Sequence, residues 1–200
     1  MSDGTKRIKT VCVYAASSDQ SPAIYQDAAL RLGRILGRER ITVVYGGGSI
    51  GLMGRLAEGA LAEGGRVVGV LPQFMDELEW GHRSLSEMRV VGDMHERKRC
   101  MLESSDGVIA LPGGCGTLEE LFEAITWKRL GLHTKPIVLV NVNGFFDPCI
   151  EMLLRCVSER FMHDKHRDMW SVVSEPEDVI CALTAAPDWS EDARDFAVQR

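Results

Sequence analysis

The sequence has no Cys-x-x-Cys pair and no compact cluster of cysteine with histidine; its six cysteines are scattered from Cys12 to Cys181. Such spacing excludes a zinc or disulfide framework. Cys12 and Cys181, in apolar surroundings, read as small buried hydrophobes. Long hydrophobic runs are absent as well. The longest, residues 41–45 and 137–140, are far too short to cross a bilayer. The opening segment, residues 1–7, lacks the apolar stretch of a signal peptide, so a cytoplasmic protein with no membrane partner is expected. Positive charge is outnumbered, 23 Lys+Arg against 29 Asp+Glu, for a net charge of −6. A chain of this balance has no general affinity for nucleic-acid backbone, which needs clustered basic residues to displace counterions. Any anionic ligand must be held by a local site.

What is present is an ordinary globular composition: 45% hydrophobic and 26% charged in 200 residues, long enough for a sizeable core. Short β-branched runs alternate with helical stretches, the pattern of a parallel sheet with helices on both faces. Strands are predicted at 10–15, 41–45, 66–71, 87–91, 107–111 and 137–141, with an edge strand at 171–173. Helices are predicted at 22–36, capped by Ser21 with Pro22 in its first turn, and at 51–63, 94–104, 118–130 and 148–159. Residues 73–86 read as a polar loop. The fold class is α/β, a Rossmann-like doubly wound sheet in one domain over residues 1–187, with 188–200 as a loosely attached polar tail.

Two glycine-rich loops stand where a strand gives way to a helix, the side on which open α/β sheets bind ligands. The first, Tyr45 to Gly54, contains GxGxxG at Gly46, Gly48 and Gly51. The acidic residue that should follow about twenty residues on, to grip a ribose, is missing at the end of the next strand. Gly51 and Gly54 are read as turn and packing glycines. Three glycines in a row, Gly46, Gly47 and Gly48, exceed what a turn requires and favour approach to a phosphate. The second loop, Leu111 to Glu120, places Gly113, Gly114 and Gly116 so that backbone N–H groups and the Thr117 hydroxyl can surround an anion at a helix N-terminus. It has no Walker lysine, so nucleoside triphosphate hydrolysis is not indicated. Thr117 and Glu120 also have the spacing of a capping box, and on chemistry alone a functional and a capping role for Glu120 stand level.

The run Pro112-Gly113-Gly114-Cys115-Gly116-Thr117-Leu118-Glu119-Glu120 reads as PGGxGTxxE, with Met94-His95-Glu96-Arg97-Lys98 before it at the expected distance. Together with Tyr45 to Gly54, Thr126-Trp127, Leu130 to His133 and Lys135-Pro136, it makes the chain resemble the LOG (Lonely Guy) family over about residues 8–162. These are cytokinin riboside 5'-monophosphate phosphoribohydrolases, and such sequences have often been labelled lysine decarboxylases. A pyridoxal phosphate enzyme needs a Schiff-base lysine in a recognisable setting, which neither Lys98 nor Lys128 has. The resemblance implies a Rossmann-like homodimer that cleaves the N-glycosidic bond of a nucleoside monophosphate.

Carried over by position, the resemblance implies Arg97 and Glu120 as the catalytic pair. Gly113, Gly114, Gly116 and Thr117 are implied as the phosphate loop, and Glu79, Lys98 and Thr126 as further substrate contacts. A carboxylate beside the sugar can stabilise the developing positive charge, hold the hydroxyls or orient water. An arginine can donate to the departing base or hold the phosphate. Met94 and Met101 are candidates to touch the base, though methionines at helical spacing are commonly core. His95 and His133 lack a second ligand at metal-site spacing, so no metal and no cofactor are expected. The expected reaction is hydrolysis of cytokinin riboside monophosphates, with AMP as a further substrate. The competing readings are a nucleotide-binding module without catalysis and, third, an oxidoreductase.

Overall fold

The computed structural model describes residues 7–78 and 81–197. Seven strands form one parallel sheet: β1 (Thr10–Tyr14), β2 (Thr42–Tyr45), β3 (Val67–Pro72), β4 (Glu87–Val91), β5 (Gly107–Ala110), β6 (Ile137–Val140) and β7 (Ser171–Val173), in spatial order 4-3-2-1-5-6-7. Side chains alternate across it. On β1, Val11 and Val13 face one core, with Leu32 and Leu36 of α1 (Ala23–Arg38) and Leu52 and Leu56 of α2 (Gly51–Ala62). Cys12 and Tyr14 face the other, with Met101 of α4 (Met94–Glu103), Leu121 of α5 (Cys115–Arg129) and Leu153 of α6 (Asp147–Ser158). Nearly continuous Val/Ile runs are what strands buried on both faces require.

Chain order runs outward from β1 through β2 to β4, then returns to the other side of β1 with β5. That reversal between β1 and β5 opens a crevice beyond their C-terminal ends. Arg66 and Glu87 pair across β3 and β4 at one edge of the sheet. Among the described residues no helix is long and apolar enough to cross a membrane.

The predicted elements are found in their predicted order, with several differences. Ser21 does not cap α1: its hydroxyl bonds the Ser18 carbonyl at 3.3 Å, and Pro22 holds the cap position with no side-chain bond. The stretch read as a polar loop contains a short helix, α3 (Gln73–Glu77), just after Pro72. Cys181 lies exposed on α7 (Val179–Ala185), whose buried positions are Val179 and Leu183. The polar tail is docked over 188–197. Trp189 Nε1 donates to the Lys128 carbonyl at 2.7 Å and Arg129 Nη2 to the Ala197 carbonyl at 2.6 Å, while Ala193 and Ala197 are buried. A segment polar on average still presents two alanines, a tryptophan and a phenylalanine to the end of α5, and composition alone hides that placement.

Two histidines are buried in this part of the molecule. His166 is fully buried, accepts from the His163 N–H through Nδ1 at 2.9 Å, and lies 5.4 Å from the Phe196 ring centroid. His133 is 6% exposed. Burial, then the neighbouring Arg129, pushes His166 down to about 4. Burial, then Lys128 and Lys135, does the same to His133, also to about 4. Below the ordinary histidine value the unfolded chain takes up protons that the folded chain refuses. The resulting stability is complete above pH ~6.5 and is lost as pH falls toward about 4, on the order of 3 kcal/mol per ring at the acid end. Urea unfolding between pH 7 and pH 4 should show this slope, and His166→Asn, which keeps an acceptor but cannot titrate, should reduce it by roughly half.

Candidate active site

The crevice at the reversal point is a cavity of about 700 Å³. Ala15 to Ser18 after β1, Gly46 and Gly48 to Ile50 after β2, and Gly114 to Thr117 at the start of α5 line it, with Arg97, Glu119 and Glu120. Its remaining wall is apolar: Val13, Met53, Leu71, Met75 and Met94. The cavity therefore joins an anion-friendly helix start, one arginine and a greasy recess.

Glu120 and Arg97 are delivered by two different helices. The Asp93 carboxylate caps α4, accepting from the His95 and Glu96 N–H groups at 2.8 Å, while the Glu96 carboxylate accepts from the Gly92 N–H at 2.7 Å. That cap fixes the turn from which Arg97 projects beneath the sheet edge. Arg97 Nε donates to the Val70 carbonyl at 3.1 Å and Nη1 to Glu120 Oε1 at 2.6 Å; the two residues are 7% and 8% exposed. Burial pushes the Glu120 carboxyl above the usual carboxylate range, and Arg97 pulls in the opposite direction.

The glycines divide into two kinds. A Cβ on Gly46 would stand 2.2 Å from Arg97 Nη2, so its bareness makes room for the guanidinium. A Cβ on Gly48 would press on Met53 at 3.0 Å, and Gly47 turns with φ +79° against Met88 and does not line the cavity. Internal packing therefore accounts for the three consecutive glycines read as a phosphate approach. It accounts equally for Gly51 and Gly54, whose added Cβ would meet backbone at 2.6 and 2.3 Å. Gly113 packs on the Thr117 side chain outside the cavity lining. Gly114 and Gly116 differ: an added Cβ meets nothing within 4 Å, because both face open space in the cavity.

Helix α5 begins three residues earlier than predicted. Gly114 is its N-cap and supplies no side-chain bond, so the N–H groups of the first turn have no capping partner. Thr117 and Glu120 lie inside the helix, which removes the capping box; Glu120 is a cavity residue. Lys98, expected at the substrate, does not line the cavity. It is 6% exposed, with Nζ 2.5 Å from Glu119 Oε1 and 3.2 Å from Glu123 Oε1. Thr126 is exposed nine residues along α5 from Thr117, away from the cavity, because that distance is two and a half turns. Glu79 lies outside the described residues. Met101 is core, Met94 is in the cavity wall.

Sequence reasoning missed Ser17 and Ser18, Met75 and the Asp93/Glu96 cap. The serines follow β1 at the reversal point, and Asp-x-x-Glu at 93–96 is itself a helix-start signal. Among the described residues no group of three or more His, Cys, Asp or Glu side chains could hold a metal ion.

With this geometry, likeness to known proteins becomes informative. A family model described as "possible lysine decarboxylase" matches residues 53–183. The chain is 47% identical over 171 residues to cytokinin riboside 5'-monophosphate phosphoribohydrolase LOG of Oryza sativa subsp. japonica, covering 85% of this chain and 69% of that one. It is 44% identical over 171 residues to the Arabidopsis thaliana enzyme LOG3, covering 85% and 78%. The chain belongs to the LOG family. Two solved structures share the fold at lower identity. They are the molybdenum cofactor carrier protein of Chlamydomonas reinhardtii (22% identical, TM-score 0.68, 88% and 96% covered) and the molybdenum cofactor binding protein of Rippkaea orientalis (23%, TM-score 0.66, 87% and 94%). The decarboxylase description of the LOG family model does not fit the cavity of this member. No lysine is among its lining residues, so the Schiff-base partner of pyridoxal phosphate has no place there.

The buried ion pair makes a stability prediction. Arg97→Met strands the Glu120 carboxylate without its partner and should cost about 3–5 kcal/mol in urea unfolding at neutral pH. Adding Glu120→Met should return most of that loss. Equal instability of the single and double variants would show that the pair contributes packing alone.

Proposed function

We propose that this protein hydrolyses the N-glycosidic bond of cytokinin riboside 5'-monophosphates, and of AMP, releasing the free base and ribose 5-phosphate. The observation that carries this reading is the buried Arg97–Glu120 pair at the wall of a cavity whose other end is an uncapped, glycine-lined helix start. Relatives carrying that activity in their names, up to 47% identical, support it.

The chemistry follows the geometry. A 5'-phosphate received by the N–H groups at Cys115 to Thr117 meets the positive end of α5, with the Thr117 hydroxyl beside it. Glu120 lies about one turn further along α5 than Gly116, roughly 5.4 Å, the order of the reach from a nucleotide phosphate to its anomeric carbon. As the base departs with the bonding pair, positive charge grows on the ribose, and the Glu120 carboxylate is placed to stabilise it and to orient the incoming water. Water adds to the anomeric carbon and loses a proton; the base gains one. Burial pushes the Glu120 carboxyl toward its protonated form, and Arg97 opposes that push by favouring the carboxylate. Met53, Met75, Leu71 and Met94 supply the apolar end, where a base with a hydrocarbon substituent loses more water-exposed surface than adenine does. Thr126, Lys98 and Gly46 to Gly48 are not needed as ligand contacts in this reading.

As in the family resemblance, we also propose a homodimer. Phe122, Leu130 and Leu132, on and just after α5, are among the exposed apolar residues and form the candidate interface. Light scattering should give twice the chain mass, and Phe122→Glu should shift it toward one chain.

Incubation with AMP or isopentenyladenosine monophosphate, followed by chromatography of base and nucleotide, tests the reaction. Glu120→Gln should lower turnover about 10²-fold or more while AMP still binds. The acid limb of kcat/KM should fall above the pH of an ordinary glutamate, because the raised Glu120 must lose its proton to act. Binding of AMP without release of adenine would favour the module without catalysis.

A further inference from the structure

Among the described residues, Lys98 is the buried ammonium beside this site that the reaction as drawn leaves without work. Both of its ion-pair partners lie on α5, Glu119 at 2.5 Å and Glu123 at 3.2 Å, and these two carboxylates flank Glu120 along the helix. Glu119 itself lines the cavity and is 56% exposed on its side chain. Three carboxylates thus occupy little more than one turn of a helix whose start, in the proposed reaction, accepts a phosphate, against the two cations Arg97 and Lys98. Two consecutive residues of α4 grip α5 in parallel, Arg97 on Glu120 and Lys98 on Glu119 and Glu123.

We propose that Lys98 is a positioning residue that acts through these carboxylates: by bridging Glu119 and Glu123 it offsets part of the negative charge flanking Glu120, so that a phosphate can bind one turn away. The inference rests on the phosphoribohydrolase reading for its ligand. The charged groups whose influence reaches Glu120 are Arg97 and Lys98 from α4 and Glu119 from α5 itself. The Cys12 thiol and Tyr14 hydroxyl from β1 also face it, and burial holds both protonated across the working range. Removal of Lys98 unmasks Glu119 and Glu123 at once, which repels the phosphate and discourages ionisation of Glu120. Loss of a lysine that touched the phosphate directly would also weaken that ligand, but deleting Glu119 would not replace the lost contact and would leave the double variant short of full recovery.

The test compares the wild type with Lys98→Met, Glu119→Gln and the double variant. Calorimetry, run with Glu120→Gln added to each protein so that AMP is bound with little turnover, gives the affinity for AMP and for adenosine; carbon NMR of the ligand-free proteins with Glu120 intact follows the Glu120 carboxyl, assigned by its loss in Glu120→Gln. Lys98→Met should weaken AMP about tenfold, the size of one charge acting across a partly buried site, and leave adenosine unchanged. The Glu120 titration should move up in the same variant. The double variant should recover both AMP affinity and the Glu120 titration. Equal losses for AMP and adenosine, or a double variant as weak as Lys98→Met, would overturn the proposal. Should Lys98→Met fail to fold, Glu119→Gln at its exposed site decides: Glu120 must titrate lower than in the wild type, and no shift sinks the idea. Absence of turnover in the wild type would remove the hydrolase reading alone, since none of these measurements depends on catalysis.

Discussion

The site depends on a single buried contact, the ion pair of Arg97 and Glu120. Two charges taken out of water carry a desolvation cost that only short, well-partnered geometry offsets. Much of the surrounding architecture is an answer to that cost. The Val70 carbonyl at the end of β3 occupies the guanidinium Nε, Gly46 gives up its side chain so that Nη2 can fit, and Asp93 fixes the helix turn that launches the arginine. Glu120 is correspondingly presented from a helix whose first turn has been left bare of caps. Removal of any one of these supports leaves the pair misaligned, though the fold away from the crevice would remain.

The doubly wound sheet explains why the two partners meet at all. Arg97 comes from the helix between β4 and β5, and Glu120 from the helix between β5 and β6, so they are consecutive helices on one face. The reversal beside β1 leaves space above the strand ends at the point where those helices start or cross. The other face does different work. There α1 and α2 pack so closely that a Cβ on Gly59 would meet the Leu30 carbonyl at 2.3 Å, a rigid support for α2, whose first turn brings Met53 to the cavity wall. At the far end of α5 the segment around Trp189 and Ala197 closes the helix down, so the element that presents Glu120 is held at both ends.

How much of this could be read beforehand follows from the range of each signal. Strand and helix order was legible because periodic apolar runs are local; β4 is found at the boundaries predicted for it, and the edge strand Ser171–Val173 likewise. Arg97 and Glu120 were legible as members of one motif set, and the fold brings them together at 2.6 Å. Roles that depend on direction were not. The first turn of α5 was hidden because glycines resist assignment to a helix, and with it went the distinction between a cap and a cavity residue for Glu120. Lys98 adjoins Arg97 in sequence, yet a step of one residue along a helix turns the side chain by about 100°, toward α5 and away from the cavity. Likewise Gly46 to Gly48 carry a real constraint, but it comes from Arg97 and Met88, far along the chain, and from the side chain of Met53 in the following helix.

One consequence of the geometry links stability to specificity. An enzyme that cleaves nucleoside monophosphates has to exclude free anions from a cavity already crowded with carboxylates, and admit a ligand whose phosphate, sugar and base together repay the approach. Gly114 and Gly116 leave open space at the start of α5, where, in the proposed reaction, backbone donors receive the phosphate whatever base it carries. Selection among bases must therefore arise at the opposite wall, where methionine side chains can adjust to hydrocarbon of different shapes. The rigid and the adaptable halves of the cavity meet at Glu120. In the proposed reaction the chemistry is thus set by the buried pair, while the choice of base falls to side chains that can move without disturbing it.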